Sequence, residues 1–255
     1  MTGRRLLLLP LALLPALGLA FFGGVLPAPR SAAKGPYSDA AWAEALAAQA
    51  QDSKVAALKA VRRYTAQLSS AQPNGPAERE SFWLNAYDAL ALQTLLSTGG
   101  PAGKVRRALW PHAVAGHWLT LDAIERRLRA TGDPRIYFAL TLSGHGAPPL
   151  PEAPFRRLTL DLQLNDAARR YLADAHHVRL REKTLHLTPL LGGELKAMAE
   201  RDVSQTLIQL VWTFLPRECE GYPGCVTRAE LDRVCGPHLD ACPVRFDVSP
   251  SARSR

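Results

Sequence analysis

Ser81-Phe82-Trp83-Leu84-Asn85-Ala86-Tyr87-Asp88-Ala89-Leu90 is the stretch from which the fold can be read. From Ala77 to about Ser97, apolar residues fall on every side of a helical wheel, with Phe82, Trp83, Leu84, Tyr87, Leu90, Leu92, Leu95 and Leu96 spread around it. Apolarity on every face means burial on every face, so this segment is expected to be the central helix of the domain. Gly99-Gly100-Pro101 ends it. Ser81, Asn85 and Asp88 are polar residues on one face of that helix. Buried polar groups must find partners, so Asn85 is expected to tether a neighbouring loop backbone, with a substrate-facing amide as the alternative.

Working outward, the periodicity predicts two helices around 39–51 and 54–69, ending in the breakers Gln72-Pro73-Asn74-Gly75-Pro76. Beyond the central helix, Thr120 is placed as an N-cap for a helix through Ile124 and Leu128, with Gly132 as its stop. Asp133-Pro134 suits a helix start, yet the run Ile136 to Leu142 also suits a buried strand. Periodicity does not separate the two. Residues 159–174 read as a helix, Val178 to Thr188 as a hairpin turning at Glu182-Lys183, and 203–215 as an amphipathic helix closed by Pro216. The class is α+β: a helix-rich single domain with a small antiparallel sheet and a stapled C-terminal appendage. The divisions are a leader over 1–33, a linker and helices over 34–76, the main domain over 77–216 and a tail over 217–255.

The leader is basic from Met1 to Arg5 and apolar from Leu6 to Leu26, a run of about 21 residues against the ~20 a bilayer span requires. It is expected to engage the membrane and carry the domain out of the cytoplasm, either as a cleaved signal or as an uncleaved anchor. The net charge is +8. Arg4, Arg5 and Arg30 supply part of it, and the remaining arginine pairs are scattered without aromatic or motif context. That distribution argues against nucleic acid. A weaker reading makes the arginines a surface for anionic polymer or lipid.

The four cysteines, Cys219, Cys225, Cys235 and Cys242, are confined to the tail. An even number in one short segment of an exported chain predicts two disulfides, and the sequence leaves all three pairings open. The spacings lack the short C-x2-C pairs of structural zinc, so no metal is expected. Thr227-Arg228-Ala229-Glu230 has the capping-box pattern of a helix start.

The opening stretch resembles the F-W-[IL]-N-A-Y-N-A-L signature of a family catalogued as domain of unknown function 547. Leu119 to Glu125 resembles its L-S-L-D-D-I-E, Asp133 to Leu140 its D-P-R-I-H-F-A-L, and Pro148-Pro149-Leu150 its C-P-P-L. The resemblance runs over about 77–216, with the later helices and hairpin in the expected order. It also shows departures. Where the family pattern has histidines, this chain has Arg126 and Tyr137, and where it has two cysteines, this chain has Leu142 and Ala147. If the family works through a thiolate and an imidazole, the resemblance implies that neither remains here. Arginine is no base near neutral pH, and neither leucine nor alanine is a nucleophile.

Four residues remain as candidates for catalysis. Ser143 and His145 lie in the glycine-containing loop Ser143-Gly144-His145-Gly146, and His117 with Glu125 offers a base and its orienter. Each has a plainer reading, as a turn or as a surface link. Asn85, Tyr87, Trp83 and Tyr137 are the candidates for ligand binding. No P-loop, dinucleotide fingerprint or zinc-protease motif is present, and no cofactor is implied. The leading expectation is a non-catalytic or degenerate envelope domain that binds a protein, peptide or small molecule. The alternative is a hydrolase or acyl-transfer enzyme with a groove between the central helix and residues 141–150.

Overall fold

The expected central helix is present as α3, Pro76–Thr98, the longest helix of the computed structural model among the described residues, and every residue from Ser81 to Leu92 on it is buried. The structure describes residues 37–98, 109–141, 146–189, 191, 204–236 and 243–246. The leader therefore lies outside the described residues. Among those described, no helix is long and apolar enough to cross a membrane.

Two helices, α1 (Ala40–Ala50) and α2 (Lys54–Gln67), pack on each other, and α2 packs against α3. Trp42 of α1 and Tyr64 of α2 stack with ring centroids 6.0 Å apart, and both are fully buried. Large side chains removed from water in this way contribute roughly 1.5–3 kcal/mol each. With Phe82, Leu84 and Leu92 of α3 they form the first core. A two-stranded hairpin follows, β1 (His112–Val114) and β2 (His117–Leu119), turning at Ala115-Gly116. The Thr120 side chain then accepts from the Ala123 N–H, and α4 (Leu121–Arg129) starts where the sequence places it. Ile124 and Leu128 carry α4 into the same core.

The stretch left open between strand and helix is neither. Asp133 caps a short 3-10 turn, Pro134–Phe138, by accepting from the Arg135 N–H. Proline at its first positions has no N–H to lose there. Ile136 enters the first core and Phe138 the second.

The second core is built on α5 (Leu160–Ala173) with the hairpin β3 (Val178–Arg181) and β4 (Thr184–Leu187). Glu182 and Lys183 turn the hairpin with φ of 45° and 65°, so the turn is left-handed without a glycine. Helices α6 (Ser204–Phe214) and α7 (Arg228–Cys235) close over it, and β5 (Val244–Arg245) adds to β4 in parallel. The capping box at Thr227 and Glu230 forms as the sequence predicts. The architecture is α+β.

The tail is woven into this second core. Val226, Leu231 and Cys235 are buried with Tyr171, Leu172 and Leu187. The Trp212 indole N–H donates to Asp232 at 2.7 Å, and the Arg228 guanidinium donates to the carbonyls of Leu215 and Thr213. Cys219 and Cys225 are bridged, which selects one bond among the open pairings. Cys235 is also disulfide-bonded, and Cys242 lies outside the described residues.

Candidate functional site

Ser81, Asn85 and Asp88 of α3 each meet backbone. The Ser81 hydroxyl donates to the Glu78 carbonyl one turn back, at 3.1 Å. Asn85, fully buried, donates through Nδ2 to the Phe155 carbonyl at 2.9 Å and accepts through Oδ1 from the Phe155 N–H at 2.8 Å. The Phe155 backbone thus takes the amide oxygen and one of the two amide N–H donors. This is the tethering role expected of Asn85. Asp88 does the same on one side only. Its Oδ1 accepts from the Thr141 N–H at 2.9 Å, while Oδ2 is buried and has no hydrogen-bond partner among the described residues. Burial pushes the Asp88 carboxyl up to about 8, against the pull of the Thr141 N–H.

The loop held by Asn85 forms one wall of a cleft of about 600 Å³, lined by Tyr37, Asp39, Ala40, Ala43, Glu78, Ser81, Pro154, Phe155, Arg156 and Arg157. The facing wall comes from the starts of α1 and α3. Asp39 precedes α1, and its Oδ1 lies 3.4 Å from Asn85 Nδ2, so a single amide joins both walls. Burial raises the Asp39 carboxyl, opposed by the Tyr64 hydroxyl, the Arg156 guanidinium and the Asn85 amide. Tyr37 packs edge-on against Phe82 at 5.1 Å. Its hydroxyl is pushed up to about 12, first by burial and then by the negative charges of Asp39 and Glu78.

The charges in this cleft are not spent on one another. No ion pair within 4.0 Å joins Asp39 or Glu78 to Arg156 or Arg157, and none of the four has an ion pair elsewhere among the described residues. Nothing in the sequence marks this cleft. Asp39 reads as a helix start and Arg156-Arg157 as one of several scattered arginine pairs, while their partners stand far along the chain.

The aromatic residues expected at a ligand site lie elsewhere. Trp83 is 6% exposed, with Phe82 edge-on at 5.0 Å and the Arg127 guanidinium 4.5 Å above its ring. The Tyr87 hydroxyl donates to Glu125 at 3.4 Å, Glu125 pairs with Arg129, and Arg129 lies 4.8 Å over the Tyr137 ring. These four side chains form one relay from α3 through α4 to the 3-10 turn. His117 stands on exposed β2 opposite Val114, and no hydrogen bond or ion pair joins it to Glu125. Ser143 and His145 lie outside the described residues. The chain on either side of them is anchored: Thr141 on Asp88, and the Gly146 carbonyl on the Tyr171 hydroxyl at 2.7 Å.

Residues 72–172 match the family described as "Protein of unknown function, DUF547". The match spans α3 through most of α5, and so takes in Asn85, Asp88, Arg135 and Phe155 but neither Asp39 nor the tail. No curated protein and no solved structure matches the chain.

Proposed function

We propose, from a chain whose residues 72–172 carry a DUF547 region of unknown function, that this is an exported envelope domain that binds a small ligand in the cleft between Asp39 and Arg156 and performs no catalysis. The observation that carries this reading is the set of two carboxylates and two guanidiniums lining that cleft without an ion pair among them. Asp39 and Glu78 are half-buried there, so a positive group meeting them offsets part of their desolvation, and Arg156 and Arg157 are exposed beside them and open to an anionic group. A cleft of about 600 Å³ is within the range of small-molecule sites.

The absence of catalysis is supported by Arg126 and Tyr137, which stand where the resembling family pattern has histidines. Arginine is no base near neutral pH. Export is supported by the disulfide sulfurs of Cys219, Cys225 and Cys235, since such bonds persist in oxidising compartments. The basic-then-apolar leader fits the same reading.

Ala43 lines the cleft, so Ala43→Trp fills it. Small polar molecules screened by ligand-observed NMR against the full chain should give hits that vanish in Ala43→Trp while its melting temperature is retained. No ester or peptide turnover should exceed the background. Turnover abolished by Ser143→Ala or His145→Ala would refute the non-catalytic part. An export-dependent reporter enzyme fused behind residues 1–33 should be active only if the leader carries it across, and an inactive fusion would refute export.

A further inference from the structure

We infer that the ligand of this cleft is a zwitterion, with an ammonium at the Asp39–Glu78 wall and a carboxylate at the Arg156–Arg157 wall; the inference rests on the cleft being a binding site at all. The charges are sorted by the part of the chain that carries them. Asp39 and Glu78 come from the starts of α1 and α3, and both act on the same Tyr37 hydroxyl. Arg156 and Arg157 come from the loop that Asn85 holds. Arg156 is near enough to act on Asp39 but forms no ion pair with it.

Other ligand chemistries leave part of this lining unanswered. An anion alone would satisfy the arginines and be repelled by Asp39 and Glu78. A cation alone would meet the reverse. A neutral sugar would hydrogen-bond to all four but compensate none of their charge. A molecule bearing both charges spans the walls and pairs each with its complement, and charge-assisted hydrogen bonds are about twice as strong as neutral ones. The guanidinium fork suits a planar carboxylate, and a carboxylate pair suits a compact ammonium. The Tyr37 hydroxyl, with its ionisation pushed up to about 12, stays neutral and supplies one further donor beside the acids. The cleft volume, about 600 Å³, has room for an amino acid or a short peptide.

Calorimetric titration of the full chain with alanine, alanyl-alanine and tri-alanine, each free, N-acetylated and C-amidated, tests this. At least one free form should bind, and either block should weaken it by about tenfold or more. Asp39→Asn should shrink the penalty of the N-acetyl group and leave that of the amide. Arg156→Gln should do the opposite. Melting curves of both variants confirm that they fold. Equal affinity for free and blocked forms overturns the zwitterion. So does tighter binding of a neutral disaccharide such as maltose; if Ala43→Trp then abolishes that binding, the cleft remains a site and only its ligand class is wrong. If no probe distinguishes the wild type from Ala43→Trp, both the class and the site are overturned.

Discussion

Asn85 and the Phe155 backbone exchange two hydrogen bonds across 70 residues of chain, at 2.9 Å and 2.8 Å. Asn85 is fully buried, so water offers no substitute for either bond. Asn85→Ala leaves the Phe155 N–H and carbonyl unsatisfied inside the protein, at about 1–3 kcal/mol for each orphaned group. Asn85→Asp keeps the acceptor, loses the donor and adds a charge beside Asp39. Urea unfolding should show both variants losing stability, and ligand binding should fall in both because the arginine wall is no longer held. An Asn85→Ala protein as stable as the wild type would show that the tether does not hold the loop.

Arg135 ties the 3-10 turn to the start of α5. Its guanidinium donates to Asp133 through Nε and Nη2 and reaches Asp161 at 2.5 Å and Asn165 at 2.8 Å on α5. The side chain is 20% exposed, and Asp161, at 75%, is largely in water. The pair with Asp133 therefore carries more of the energy than the one with Asp161. Lysine keeps the charge but has no planar fork, so Arg135→Lys should cost about 1–2 kcal/mol. Asp161→Asn should cost under about 1 kcal/mol. Chemical denaturation of both variants checks the order.

Helix α3 is legible in the sequence because a segment apolar on every face has only one place to go, and Pro76–Thr98 differs from the expected 77–97 by one residue at each end. Thr120 and Thr227 are legible because a cap is a local contact. The run from Ile136 is not, since its outcome depends on Asp133 closing a 3-10 turn in competition with strand and helix. The parallel pairing of Val244 with Leu185 carries no local signal at all. The candidate site divides in the same way. Asn85 announces itself as a polar residue on an apolar helix. Asp39 gives no such sign, because its partner Asn85 stands 46 residues away.

The C-terminal tail tests packing against covalent closure. The Cys219–Cys225 bond spans a separation of six residues, and closing so short a loop is worth about 2 kcal/mol in the chain-entropy account. Leu231 is fully buried in the second core, and truncating such a leucine costs about 2–5 kcal/mol. Leu231→Ala should therefore lower the melting temperature more than the paired Cys219→Ser, Cys225→Ser variant. Limited proteolysis should find the tail still docked in the serine variant, held by Arg228 and by Trp212–Asp232. Release of the tail on loss of that one disulfide would make the sulfur bond, and not the shared core, what keeps it in place.

Asp88 should make stability depend on pH in the direction opposite to an ordinary paired carboxylate. In the unfolded chain it ionises near its usual ~3.9. In the folded chain burial raises it to about 8, because the carboxylate would face Thr141 with one oxygen unpartnered. Between those values the folded state holds the extra proton, so stability falls as pH rises from about 4 through 8 and levels off above. Asparagine is the neutral counterpart of the protonated acid, so Asp88→Asn should remove this dependence. The amide oxygen still accepts from the Thr141 N–H, and the amide nitrogen replaces the proton that Asp88 must otherwise retain. Melting temperatures of the two proteins should nearly coincide at pH 5 and separate by pH 8.5, with the variant higher by the equivalent of roughly 4 kcal/mol, about three pH units at about 1.4 kcal/mol each. Curves that run parallel across that range would mean that Asp88 is ionised when folded, and that Oδ2 finds a partner in solution.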